Sequence, residues 1–337
     1  MGRRMHVVVM VAGLVMSLAM FPLPAGATND PSFSLQWALP LIGAPQAWSA
    51  TTGAGVRIGI VDAGVDLTHE DLAGKVVDQI SCVDSGGDPL QCKGSGQDDL
   101  GHGTHVAGIA AALKDNGLGV AGVAPDAALV VAKVGDAQGR VNLDDANAGI
   151  RWVVDHGARV VNLSFGDLVF LRTAAFGTAL ADGIDYAWSH GAVPVLASGN
   201  TDLFGLGVGS SDYGDLNAIV VGATGPDDQV TGYSSPTGSA KWAIVAPGGA
   251  ADGTEADDIY STFWVDGEHN QYGYLAGTSM AAPFVSGAVA LLLAQGLGPQ
   301  EAVDRILATA NPSVDCGPNS PTCKGRLDVA RAVGAKR

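Results

Sequence analysis

Six short apolar runs recur along the chain, at Val56–Val61, Leu129–Val134, Val160–Leu163, Val193–Ala197, Ile219–Val221 and Ala243–Ala246. They are nearly continuous, broken in the first only by Arg57 and Gly59, which is how strands buried on both faces read. Between them lie stretches of helical period. Leu143–His156 stops at Gly157, and Ala174–His190 stops at Gly191. Strand, helix and strand in alternation predict an α/β fold, a doubly wound, mostly parallel β-sheet with helices on both faces. Ligand sites in such folds lie beyond the carboxyl ends of the strands, and Asp62, Ser164 and Asn200 fall at those ends. With 337 residues and 47% apolar content, a sizeable core is available. Pro299–Ala308 and Arg326–Val333 read as closing helices, Gly205–Gly214 as a loop, and the polar stretch Asp252–Asn270 as irregular.

Met280–Gln295 carries no charge and is rich in Ala, Val and Leu, so it reads as a helix buried on all sides that ends at Gly296. It is too short and too rich in Ala to be read as a membrane span. Pro283 is expected in its first turn, where a missing N–H costs little. Ser279 then sits at the positive end of the helix, where a hydroxyl can attack a carbonyl if a base takes its proton. A simple helix-capping serine is the alternative reading of Ser279 taken alone.

Two further motifs decide between these. Val61-Asp62-Ala63-Gly64 ends the first apolar run, and Gly101-His102-Gly103-Thr104-His105-Val106-Ala107-Gly108 opens a helix of small residues. With Gly277-Thr278-Ser279-Met280-Ala281-Ala282-Pro283 they give the order Asp, His, Ser. In these motifs the chain resembles the subtilases, the subtilisin-like serine proteases, from about Asn29 to Val333. The resemblance implies Ser279 as nucleophile, His102 as general base and Asp62 as its orienting partner, with His105 as the motif's second, non-basic histidine. Asn200, in Leu196-Ala197-Ser198-Gly199-Asn200, matches the oxyanion donor. Ser164-Phe165-Gly166 and Ala197-Ser198-Gly199 match the segments that bind protein or peptide substrates as an edge strand and pocket rim. The implied activity is serine endopeptidase hydrolysis through an acyl-enzyme. An esterase or amidase with the same triad, and an inactive binding protein on the same fold, are the other readings, and the four intact catalytic positions argue against the last.

The resemblance extends to a calcium loop like that of thermitase-like subtilases, Leu113-Lys114-Asp115-Asn116-Gly117-Leu118-Gly119-Val120. It implies one structural Ca²⁺ held by Asp30, Asp71, the Asn116 side chain and the carbonyls of Leu113, Leu118 and Val120, oxygen ligands of the kind this ion prefers. Three departures stand out. Ala63 replaces the usual Thr or Ser, so a hydrogen bond near Asp62 is expected to be missing. Phe284 stands where His is frequent, and, with the entry segment directly after the signal, no pro-domain is expected.

Residues 1–27 read as a signal peptide, with Arg3 and Arg4, the apolar run Val7–Phe21, and a cleavage site after Ala25-Gly26-Ala27. The expectation is a secreted or periplasmic peptidase domain over 28–337, a monomer without membrane attachment after cleavage. A net charge of −16 makes nucleic acid an improbable partner. The four cysteines, Cys82, Cys92, Cys316 and Cys323, suggest two disulfides in an oxidising compartment. Three pairings exist, and close spacing favours Cys82–Cys92 with Cys316–Cys323.

Overall fold

Apolar runs of this kind become strands of one sheet because both faces of each can be covered. The computed structural model describes residues 28–165, 179–200 and 213–335. Within them the chain passes through two short helices, α1 (Ala38–Ile42) and α2 (Ala44–Ala47), then β1 (Arg57–Asp62), β2 (Val76–Ser81), α3 (His102–Ala111), β3 (Ala128–Lys133), α4 (Leu143–Asp155) and β4 (Val160–Leu163). It continues with α5 (Ala181–Ser189), β5 (Val193–Ala197), β6 (Ile219–Thr224) and β7 (Trp242–Pro247). A hairpin of β8 (Ile259–Phe263) and β9 (Gln271–Leu275) precedes α6 (Thr278–Ala294), α7 (Pro299–Thr309), β10 (Cys323–Arg326) and α8 (Val329–Val333).

Eight strands form one sheet in the order β10-β7-β6-β5-β4-β1-β3-β2, with every neighbouring pair parallel. Successive side chains point to opposite faces. Ile58, Ile60, Leu129 and Val131 therefore join the core beneath α3 and α6, while Val61, Val130, Ala132 and Val161 join the core beneath α4 and α5. The sheet is thus doubly wound, as the alternating pattern implies. From β1 the chain first winds outward to β2 and β3, then crosses to β4 on the other side. Asp62 and Ser164 flank that switch point, at the carboxyl ends of adjacent strands with Val61 level with Leu163.

Both disulfides join the cysteines nearest in sequence, Cys82–Cys92 and Cys316–Cys323. The first closes a turn that α4 holds in place, since the buried Asp145 carboxylate accepts from Asp84 N, Ser85 Oγ and Gly86 N at 2.8–3.0 Å. Among the described residues no helix is long and apolar enough to cross a membrane.

Three local expectations change. Asp252–Asn270 is not irregular throughout, because it contains β8. Its Ser261 and Thr262 are buried and donate to the carbonyls of His105 and Thr104 on α3, at 2.9 and 2.7 Å. The last helix begins at Val329 rather than Arg326, capped by the Asp328 side chain, and Cys323–Arg326 is instead an edge strand on β7. Finally, α6 starts at Thr278, so Pro283 is its sixth residue and not part of the first turn. Its missing N–H is one the helix would have used. The loop read at Gly205–Gly214 lies largely outside the described residues.

Candidate active site

Asp62 is the last residue of β1 and His102 the first of α3. They meet because Gly103 has no side chain: a Cβ there would lie 2.0 Å from the Gly64 carbonyl oxygen and 3.1 Å from Asp62 Cβ. His102 Nδ1 is 2.7 Å from Asp62 Oδ1. An ionised carboxylate can only accept, so Nδ1 carries the hydrogen and Nε2 keeps its lone pair. The Asp62 side chain is 3% exposed and that of His102 28%. Asp62 Oδ1 also accepts from Ala63 N at 2.7 Å, while Oδ2 is buried with no partner among the described residues. Burial pulls the His102 pKa down, but the Asp62 charge and hydrogen bond, with a smaller contribution from Asp98, outweigh it and hold it above the ordinary histidine value.

Two residues that the motifs did not single out hold this pair. Asp98 is buried, and its carboxylate accepts from Leu100 N, Gly101 N and Thr104 N at 2.9 Å and from Thr104 Oγ1 at 2.5 Å. It supplies acceptors for the free N–H groups at the start of α3. Lys133 is the β3 register partner of Asp62, and its Nζ donates to the Ala63 carbonyl (2.7 Å) and to Asp99 (2.6 Å). The turn after Asp62 and the loop before His102 are thereby clamped to one ammonium. An aspartate shortly before a helix was the only available sequence signal for Asp98, and nothing local marked Lys133.

Ser279 is the second residue of α6 and is 8% exposed. Asn200 follows β5, and its Oδ1 accepts from Thr278 N at 3.0 Å and from Thr278 Oγ1 at 3.1 Å. A backbone N–H can only donate, so this contact fixes which way the amide faces and leaves Nδ2 as a donor beside the start of α6. Thr278 Oγ1 also accepts from Gly199 N at 3.1 Å. His105 turns away from this cluster. It is buried, and its Nε2 donates to the carbonyls of Ile259 and Gly273 at 3.0 and 3.1 Å. Burial drives its pKa down to about 3, so it is a neutral pin for the β8–β9 hairpin.

Of the two segments matched to substrate binding, Ser164 and Phe165 lie just past β4 and Ala197, Ser198 and Gly199 at the end of β5, all buried. Their side chains serve the interior. Ser198 Oγ donates to the Ser235 carbonyl and Ser164 Oγ to the Ser279 carbonyl, both at 2.8 Å, so what they can offer a peptide is main chain. Gly166 lies outside the described residues.

Asp30 and Asp71 are both buried. The loop at 113–120 runs between them. Asp30 accepts from Asp115 N (3.0 Å) and Asn116 N (3.2 Å), and Asp71 from Val120 N and Asn116 Nδ2, each at 2.7 Å. Burial, with a contribution from the Asp30 charge, pushes Asp71 up to about 6. Among the described residues no three His, Cys, Asp or Glu side chains gather as a metal cluster. The set is two carboxylates with neutral oxygens, and no donor among the described residues reaches the carbonyls of Leu113, Leu118 or Val120. Two buried acids and three free carbonyls suit a hard cation. Asn116 would have to turn its amide to present oxygen, since Nδ2 now faces Asp71.

The subtilase family profile matches residues 53–334. Thermitase of Thermoactinomyces vulgaris is 37% identical over 308 residues, covering 90% of this chain and 98% of its own. Subtilisin DY of Bacillus licheniformis is 35% identical over 305 residues, covering 89% and 99%. A solved structure of a protease from Pseudoalteromonas arctica aligns with a TM-score of 0.74 at 27% identity, over 91% of this chain and 98% of that one.

Proposed function

The chain belongs to the subtilase family of serine endopeptidases, and on that premise we propose that Asp62, His102, Ser279 and Asn200 carry out peptide hydrolysis. The carrying observation is the 2.7 Å bond from His102 Nδ1 to Asp62, which leaves Nε2 as the basic nitrogen. In the first step Nε2 takes the Ser279 proton as Oγ attacks the scissile carbonyl. The Ser279 N–H and Asn200 Nδ2 donate to the oxygen as it becomes negative. The imidazolium, stabilised by Asp62, then protonates the leaving amine, and an acyl-enzyme remains. Water, deprotonated by the same nitrogen, attacks the ester and regenerates Ser279. An extended peptide would add to the main chain of 164–166 and 197–199.

Ser279→Ala should leave the fold intact and lower turnover by about six orders of magnitude, as in the corresponding subtilisin series. A fluorophosphonate should label Ser279 in the parent protein. If the alanine variant keeps most of its proteolysis, the assignment is wrong.

Calcium fits the same reading as a structural ion, held by Asp30, Asp71, Asn116 and the carbonyls of Leu113, Leu118 and Val120. When bound, it neutralises the two buried acids. The surrounding chain already ties the N-terminal segment to this loop, through Ser32 N to the Gly119 carbonyl and Gly117 N to Asn29 Oδ1, both at 2.8 Å. Export fits too, with residues 1–27 removed. Sequencing of the secreted protein should then begin Thr28-Asn29-Asp30, and a start beyond Trp48 would contradict it.

A further inference from the structure

In an α-helix each carbonyl accepts the N–H of the residue four positions on. For Ser279 that residue is Pro283, which has no N–H. The carbonyl of the proposed nucleophile is therefore left without its helical donor. Ser164 supplies another, with Oγ donating to Ser279 O at 2.8 Å. Ser164 is itself fully buried, and its oxygen accepts from Asn162 Nδ2 at 2.8 Å. Asn162 Oδ1 in turn accepts from Ser286 Oγ at 2.8 Å, two turns further along α6. Asn162 and Ser286 are fully buried as well.

The direction of every bond is forced. A carbonyl can only accept, so the Ser164 hydrogen points at Ser279. Its oxygen then takes the amide hydrogen, and the amide oxygen faces Ser286. The three bonds form one chain that leaves α6, passes through β4 and returns to α6, each polarising the next. None of these side chains takes part in the hydrolytic steps above.

We propose that Ser164 is a positioning residue for Ser279. It replaces the hydrogen bond that Pro283 removes, and so fixes the peptide plane that follows the nucleophile to the strand end on which a substrate would lie. One residue then serves both halves of the cleft, its main chain toward the peptide and its side chain toward Ser279. This rests on Ser279 being the nucleophile.

The test is a double-mutant cycle of parent, Ser164→Ala, Pro283→Ala and the double variant. Acylation by a fluorophosphonate is followed together with kcat and KM on a peptide amide. Ser164→Ala should slow acylation and kcat by about tenfold or more with KM within about twofold, the signature of a misaligned nucleophile. In the Pro283→Ala background the helix regains an N–H, so the same change should cost less than about threefold. An equal cost in both backgrounds, or a Ser164→Ala variant that acylates at the parent rate, overturns the proposal. If the probe fails to label Ser279 in the parent, the nucleophile assignment fails instead. Should Ser164→Ala not fold, Ser286→Ala probes the far end of the chain. It should slow acylation by about two- to threefold at unchanged KM, the smaller loss expected of a polarising bond, and a parent rate there also counts against the proposal.

Discussion

Replacing Asp98 with asparagine keeps the shape of the side chain and removes its charge. Oδ1 would still accept from Leu100 N and Gly101 N. The other end, now an amide NH₂, would face the Thr104 N–H donor to donor. The Thr104 hydroxyl, which donates to the carboxylate and accepts from Asp66 N at 2.8 Å, would lose its acceptor and have to turn its hydrogen away. Two charge-assisted bonds are lost, each worth roughly 1.5–3 kcal/mol. Part is recovered because a buried charge goes with them, and burial is what raises the Asp98 pKa above the usual carboxylate range. A net loss of about 3 kcal/mol follows, and at about 2 °C per kcal/mol in a domain this large the melting midpoint should fall by about 6 °C. There is a second effect with a definite sign. The Asp98 charge helps to raise His102, so its removal lowers the His102 pKa. The acid limb of kcat/KM reports the imidazole losing its proton in the free enzyme. In the parent it should lie above the ordinary value of 6.5, and in Asp98→Asn it should move to lower pH. Melts belong in the Ser279→Ala background, where autolysis is absent, and pH profiles in the active protein. A midpoint within about 1 °C of the parent, or an acid limb that moves upward, would refute this account of Asp98.

Asn200→Ala should lower kcat by about 10²–10³, as loss of the corresponding donor does in subtilisin, with KM little changed. A rise in KM at constant kcat would show that Asn200 binds substrate instead. In Ser279→Ala protein, chelation should lower the melting midpoint, because calcium at a hundredfold excess over its Kd stabilises by about 2.7 kcal/mol. Asp71→Ala should remove most of that difference. An unchanged midpoint with calcium shown to be gone would dismiss the site.

What could be read from sequence was what depends on neighbours along the chain. β1, β3, β4, β5, β6 and β7 were legible because strands covered on both faces are almost continuously apolar. β8 was not, since Ser261 and Thr262 are polar for the sake of carbonyls on α3, and those partners lie more than 150 residues away. Pro283 shows the same limit. Its place in the helix depends on where α6 begins, and the Thr278 N–H at that start is satisfied by Asn200, 78 residues earlier in the chain. Asp98 is indistinguishable from a solvated aspartate until the start of α3 is folded around it. Asp30 and Asp71 could be named only through likeness to relatives, because their approach to the loop at 113–120 is made entirely by tertiary structure.

The two outer strands of the sheet bear on how copies of this chain treat one another. An exposed strand edge is a template for another chain. Here β2 is bulged between Val76 and Asp78, carries Asp78, and runs into the turn closed by Cys82–Cys92. At the far side β10 is irregular between Cys323 and Arg326 and tethered by Cys316–Cys323. The outward N–H and carbonyl of Arg326 are already spent on Asn311, at 3.1 and 2.7 Å. Neither border is a flat, regular ladder, so pairing of sheets edge to edge through these strands is disfavoured.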